Sequence, residues 1–256
     1  MIISIGNFVW FAMMACTAAA TYGMYVLLKN RSEEQIRNWL FKFGILIFVL
    51  YGVQRYFMFI DPEFLETYGS SFGDILVQLL PLQMCYAGLF LALVALKKNY
   101  KPILAFNFYS GGLGAILAMT SPDSYFLQKS LLFPPVGFFF LLHGMLVCMY
   151  FAIGLLGLFR WDKKAVLSAM GIAMALSAVV HVINLVGMNA GLTDMNYFYT
   201  LHPSGSGILE LLWSFIPCAY FYVTIPASLA CGVWGMVMNG IHKWVTGKQK
   251  KTAAQA

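Results

Sequence analysis

Charge is what this sequence has least of. Asp, Glu, Lys and Arg make up 10% of its 256 residues, against 61% hydrophobic, and the mean hydropathy is +0.76. A soluble domain is charged at about a quarter of its positions. A water-facing surface is therefore excluded, and the chain reads as a polytopic membrane protein. There is no P-loop, no dinucleotide-binding glycine pattern and no GxSxG elbow, which removes the usual signatures of nucleotide chemistry and of α/β-hydrolases. HxxxH and HxxE pairs are missing too, so no metal is expected, and nothing points to another cofactor. The five cysteines, at 16, 85, 148, 218 and 231, all fall in apolar runs and make no disulfide framework. No Pro/Ser-rich linker divides the chain. The expected organisation is one all-α transmembrane domain over 1–245 and a basic tail over 246–256, expected to be disordered. The N-terminus lacks a basic n-region and a small-residue cleavage site, so the first helix is expected to be retained.

What is present is a series of long apolar runs. Seven of them, near 7–28, 40–60, 74–96, 102–120, 135–159, 165–188 and 207–240, can each cross roughly 30 Å of hydrocarbon. The fourth holds Gly111, Gly112 and Gly114, small residues that permit close helix contact. The seventh holds Pro217 and Pro226, which predict a tilt or kink.

Basic residues set the expected orientation. Lys29, Arg31, Arg37 and Lys42 flank the first connection, and Lys97, Lys98 and Lys101 the third. Arg160, Lys163 and Lys164 fill the fifth, and Lys243, Lys248, Lys250 and Lys251 the tail. Of the 16 basic residues, that leaves only Lys129 and Arg55 elsewhere. The positive-inside rule makes the crowded face cytoplasmic, with the N-terminus outside and the C-terminus inside. The net charge of +6 is then a record of topology, and no nucleic-acid partner is expected. The three connections on the sparse side, 61–73, 120–134 and 189–206, are longer and rich in Gly, Pro, Ser, Asp and aromatic residues. Such loops often cap a site.

The third span breaks the apolar pattern, with Asp74, Gln78, Pro81, Gln83 and Cys85 in its first half. Asp74, Gln78, Pro81 and Cys85 are spaced four, three and four apart, which puts them on one face if the span is a single helix. Polar groups in hydrocarbon usually face the bundle interior or a watery cavity. At about 1.5 Å per residue, Arg55 lies roughly 8 Å, His143 and His181 roughly 10–13 Å and Cys85 about 16 Å below the outer boundary. Asn184 shares a face with His181, and Glu210 begins the seventh span. The expectation is an outer-leaflet cavity lined by spans 2, 3, 5, 6 and 7. Cysteine is a competent nucleophile beside a base. His143 or His181 is the candidate base, and Arg55 the group that favours the thiolate or holds a lipid phosphate. Each also has a plainer explanation: buried Cys is often inert packing, and a membrane His can simply bond a neighbouring helix.

Leu80-Pro-Leu-Gln-Met-Cys85, Thr120-Ser-Pro-Asp123 and Phe140-Leu-Leu-His-Gly144 are followed by Asn184, by Asn196-Tyr-Phe-Tyr199 before Pro203, and by an aromatic-rich last helix. In that order they resemble the YwaF-like integral membrane proteins of bacteria, although Gln83 stands where those proteins often carry His. That family is similar to animal transmembrane protein 164, an acyltransferase that moves fatty acyl chains between phospholipids through a cysteine. The resemblance implies a multi-pass protein of the bacterial cell membrane in which Cys85 accepts the acyl group and His143 is its general base.

The expected function is thus thiol-dependent acyl transfer on a lipid. Cys85 and His143 are the expected catalytic residues, and Arg55, Gln78, Gln83, His181, Asn184 and Glu210 bind substrate or stabilise the oxyanion. The implied partner is a glycerophospholipid or glycolipid, with an envelope protein as a further partner. The rival is a non-enzymatic subunit of an export or assembly complex, holding a lipid or envelope precursor in the same cavity. A transporter is disfavoured, because the chain shows no repeated halves.

Overall fold

The computed structural model describes residues 1–69, 71–192, 195–203 and 207–253, and among them the fold is all-helical. The chain runs through α1 (Phe8–Leu28), α2 (Glu33–Phe59), α3 (Pro62–Tyr68), α4 (Phe72–Leu79), α5 (Met84–Lys98) and α6 (Lys101–Phe106). A π-helical turn, Asn107–Gly111, leads into α7 (Gly112–Thr120). Then come α8 (Pro134–Leu155), α9 (Lys163–Asn189), α10 (Gly207–Phe215) and α11 (Phe221–Ala253). Among the described residues six helical stretches are long and apolar enough to span a membrane, and the bent pair α4–α5 makes a seventh.

Local chemistry fixes the boundaries. Asn7 caps α1 by accepting from the Trp10 amide, and Ser32 and Gln35 form a reciprocal capping box at the start of α2. The second span therefore begins at Glu33 and not near 40, with Glu33 and Glu34 in its first turn and Arg37 one turn on. At the centre stands α8, apolar on every side and buried along most of its length, as a helix with no polar face must be. It packs against α1, α2 and α7, while α9 packs on α6 and α11, and α5 on α2. The approach of the fourth span to α8 depends on Gly154, where a Cβ would stand 2.4 Å from the Phe108 ring.

Two spans expected to be continuous are broken. The third bends by 53° between α4 and α5. Pro81 has no N–H to continue the ladder and holds the residue before it extended; Leu80 has ψ 123 and Gln83 ψ 143. Asp74, Gln78, Pro81 and Cys85 consequently do not share a helix face. The seventh is divided between α10 and α11: Pro217 falls in the break and Tyr220 has φ 70. Pro226 is accommodated inside α11, which continues past 245 to Ala253. Residues 254–256 of the expected tail lie outside the described residues.

The loops at one end are tied together. The Ile3 amide donates to the Lys129 carbonyl at 2.9 Å and the Gln128 amide to the Ile3 carbonyl at 2.9 Å. Tyr68 donates to Asp123 at 2.8 Å, Tyr125 to Asp61 at 2.5 Å, and Lys129 pairs with Glu63 at 2.8 Å. Burial, helped by the adjacent carboxylates, pushes both phenols up, so neither bond is lost to deprotonation below pH about 10. The N-terminus therefore sits with loops 61–69 and 120–134, while the opposite end carries Lys101 on Glu33 (2.7 Å) and Arg37 on the Leu96 carbonyl (2.7 Å).

Candidate functional site

The break in the third span is what builds the site. Ending a helix inside a membrane frees carbonyls that no water will satisfy. Two tyrosines take them: Tyr197 donates to the Val77 carbonyl, and Tyr51 to that of Leu79 at 3.3 Å. The restart at Met84 puts Cys85 in the first turn of α5, where the N–H groups and positive dipole end favour negative charge. Tyr150 of α8 donates to the Cys85 carbonyl at 2.7 Å and so sets the height of this turn against α8. That approach needs Gly88, where a Cβ would meet the Tyr150 hydroxyl at 3.1 Å.

Cys85 and His143 are both buried, and Sγ lies 3.5 Å from Nε2. His143 Nδ1 is 2.8 Å from the Phe139 carbonyl oxygen. A carbonyl only accepts, so Nδ1 carries the ring proton and Nε2 turns its lone pair to the thiol. The Phe139 ring packs on the imidazole at 4.4 Å. Together these contacts hold a neutral imidazole in the orientation a general base requires.

Around the pair runs an aromatic series that ends on a cation. Tyr86 meets His143 edge-on at 5.7 Å, Tyr51 lies 4.3 Å from Tyr86, and the Arg55 guanidinium sits 4.7 Å over Tyr51. Among the described residues Arg55 has no carboxylate partner, since the ion pairs use Arg37, Lys101 and Lys129. Its Nε and the Tyr86 hydroxyl are both buried without a hydrogen-bond partner. Two donors aimed at no acceptor, next to a thiol–imidazole pair, are what an ester or phosphate oxygen would fill.

The other expected residues lie elsewhere. Gln78 is half-buried in the last turn of α4, and Gln83 is the exposed N-cap of α5, making no capping bond with its side chain. His181 packs on Tyr220 at 5.4 Å. Asn184 clamps the loop after α9: its amide donates to the Tyr197 carbonyl and the Thr200 hydroxyl, each at 2.9 Å, and accepts from the Tyr197 amide at 3.1 Å. Glu210 is exposed in the first turn of α10. Sequence reasoning missed Tyr51, Tyr86, Phe139 and Tyr150. Among the described residues no three His, Cys, Asp or Glu side chains gather as a metal-binding group.

Fold and site together define a polytopic helical membrane protein with a buried cysteine–histidine pair, near an arginine that has no carboxylate partner among the described residues. The chain belongs to the TMEM164 family, whose model matches residues 2–238. No curated protein and no solved structure matches it.

Proposed function

We propose that this protein is a thiol-dependent lipid acyltransferase of the bacterial cell membrane, with its N-terminus outside and its C-terminus in the cytoplasm. The observation that carries the reading is the 3.5 Å contact between Cys85 Sγ and the free lone pair of His143 Nε2. In the first half-reaction Nε2 takes the thiol proton and the sulfur attacks the ester carbonyl carbon of a glycerolipid. The tetrahedral oxyanion accepts from Tyr86 and the first-turn N–H groups of α5, and Arg55 holds the lipid phosphate. The bond from the carbonyl carbon to the glycerol oxygen breaks, and that oxygen takes the proton from the imidazolium. A lysolipid leaves and a thioester remains on Cys85. In the second half an acceptor alcohol gives its proton to Nε2 and attacks the thioester. The carbon–sulfur bond breaks, and the proton returns to sulfur. The exchange of one ester for another needs no oxidant and no metal. The acceptor is a free hydroxyl on a lysoglycerophospholipid, a glycolipid or an envelope protein.

The test is acyl exchange in liposomes between an isotope-labelled phospholipid and an unlabelled lysolipid, read by mass spectrometry. Wild-type protein should exchange chains and carry a hydroxylamine-labile acyl group on Cys85, and Cys85→Ala should do neither. Exchange at the wild-type rate by Cys85→Ala would remove the thiol mechanism, and no exchange by the wild-type protein would leave a lipid-binding membrane subunit as the better account.

A further inference from the structure

A cavity of about 120 Å³ lies between the start of α5, α7, α9 and α11, and neither Cys85 nor His143 lines it. Part of its wall is Met84, the residue immediately before Cys85, and another part is Phe198, held at φ 57 in the loop that Asn184 clamps. Four of its polar wall residues are turned to one another, Ser110 Oγ lying 3.0 Å from Cys231 Sγ and Ser177 Oγ 2.9 Å from Thr224 Oγ1, and Ser228 is the fifth. What remains is an apolar lining. Engineered apolar cavities of roughly 150 Å³ stay dry and take apolar guests.

The mouth of the cavity opens sideways. Leu117 on α7 and Ala227 and Ala230 on α11 line it and are themselves exposed. All three lie in helical stretches apolar enough to span the membrane, so the medium outside that mouth is hydrocarbon. Gly114 and Ala227 leave the passage without a large side chain, and a Cβ at Gly114 would already touch the Met84 sulfur at 3.9 Å.

We propose that this cavity is the acyl-chain subsite for a membrane glycerolipid, entered laterally between α7 and α11. It places the chain on one side of Met84 and its ester on the other, at Cys85. This inference rests on the acyl-transfer reading, and it adds where the chain lies and how it enters. Neighbouring Cα atoms are about 3.8 Å apart, so an ester at Cys85 and the first methylenes at Met84 are within one residue's reach. The unbranched Met84 side chain is suited to yield to a chain of variable shape.

The experiment has two arms. In the first, Cys85→Ala protein in liposomes is photolabelled with phosphatidylcholine carrying a diazirine at the chain end, and separately with a diazirine free fatty acid. The lipid probe should label peptides covering 110–117 and 223–231 above the exposed face of α1, and Ala227→Phe should reduce that label at least severalfold. Stronger labelling by the free acid, or no effect of Ala227→Phe, overturns the proposal. In the second arm, Ala227→Phe and Gly114→Leu, which close the mouth from opposite walls, are assayed with dibutanoyl and dipalmitoyl phosphatidylcholine. Both variants should lose long-chain transfer by tenfold or more and keep short-chain transfer. Equal loss for both chain lengths overturns the proposal. Absence of transfer in wild-type protein sinks the acyltransferase reading, and the labelling arm then decides the cavity by itself.

Discussion

His143 Nδ1 lies 2.8 Å from the carbonyl oxygen of Phe139, one helical turn earlier on α8. That contact decides which nitrogen faces Cys85, and it does so from within a single helix. The base therefore does not rely on a carboxylate to set its tautomer. The arrangement suits a site in hydrocarbon, where a buried acid would carry a large desolvation cost.

Removing this base should be felt in rate and not in fold. His143→Ala is expected to lower acyl exchange by about 10²–10⁴-fold, the usual worth of a positioned general base. Lipid binding should persist, and alkylation of Cys85 by a membrane-permeant maleimide should slow. Exchange within threefold of wild type would exclude His143 as the base.

Tyr86→Phe removes one oxygen that has no hydrogen-bond partner among the described residues. Loss of an orphaned hydroxyl should leave the melting temperature unchanged or raise it. An oxyanion donor, by contrast, is worth about 10²–10³ in kcat. The expected result is a fall in kcat of that order with KM little altered. A lower melting temperature with normal kcat would show the hydroxyl to be structural.

Depth and residue type leave both His143 and His181 open as the base for Cys85; the family resemblance selects His143, and the fold puts His143 Nε2 3.5 Å from the sulfur. Pro81 and Pro217 likewise mark the places where spans fail, although a proline alone does not say whether a helix kinks or stops. Tyr86, Phe139 and Tyr150 were not legible, since an aromatic residue in an apolar segment looks the same whether it packs, orients a ring or donates a bond. Asn184 is ambiguous for the opposite reason. A buried amide is as well suited to holding a loop carbonyl as to holding a ligand, and only the positions of Tyr197 and Thr200 tell the two apart.

Asn184→Ala should accordingly act on stability first. It removes three hydrogen bonds, each worth about 0.6 kcal/mol inside a membrane protein, and leaves the Tyr197 amide without the acceptor it has here. A lowered melting temperature in detergent and faster proteolysis within 195–203 are expected, at a cost of roughly 2 kcal/mol. Unchanged stability with lost lipid binding would restore Asn184 as a ligand-binding residue.

The last prediction concerns which leaflet the site serves. Thirteen residues separate Cys85 from Lys98 on α5, about 20 Å at 1.5 Å per residue. The hydrocarbon core is about 30 Å thick, so Cys85 lies nearer the end that carries the N-terminus and the loops 61–69 and 120–134. Lys97, Lys98 and Lys101 belong to the other end, which by the positive-inside rule is cytoplasmic. The expected opening of the pair is then toward the outer half of the bilayer. Single-cysteine accessibility decides this, with Cys16 and Cys218, the exposed native thiols, replaced by Ser. Glu66→Cys should react with a membrane-impermeant maleimide added to intact cells, and Lys98→Cys only after permeabilisation. The reverse pattern would turn the protein over and assign Cys85 and His143 to lipids of the cytoplasmic leaflet.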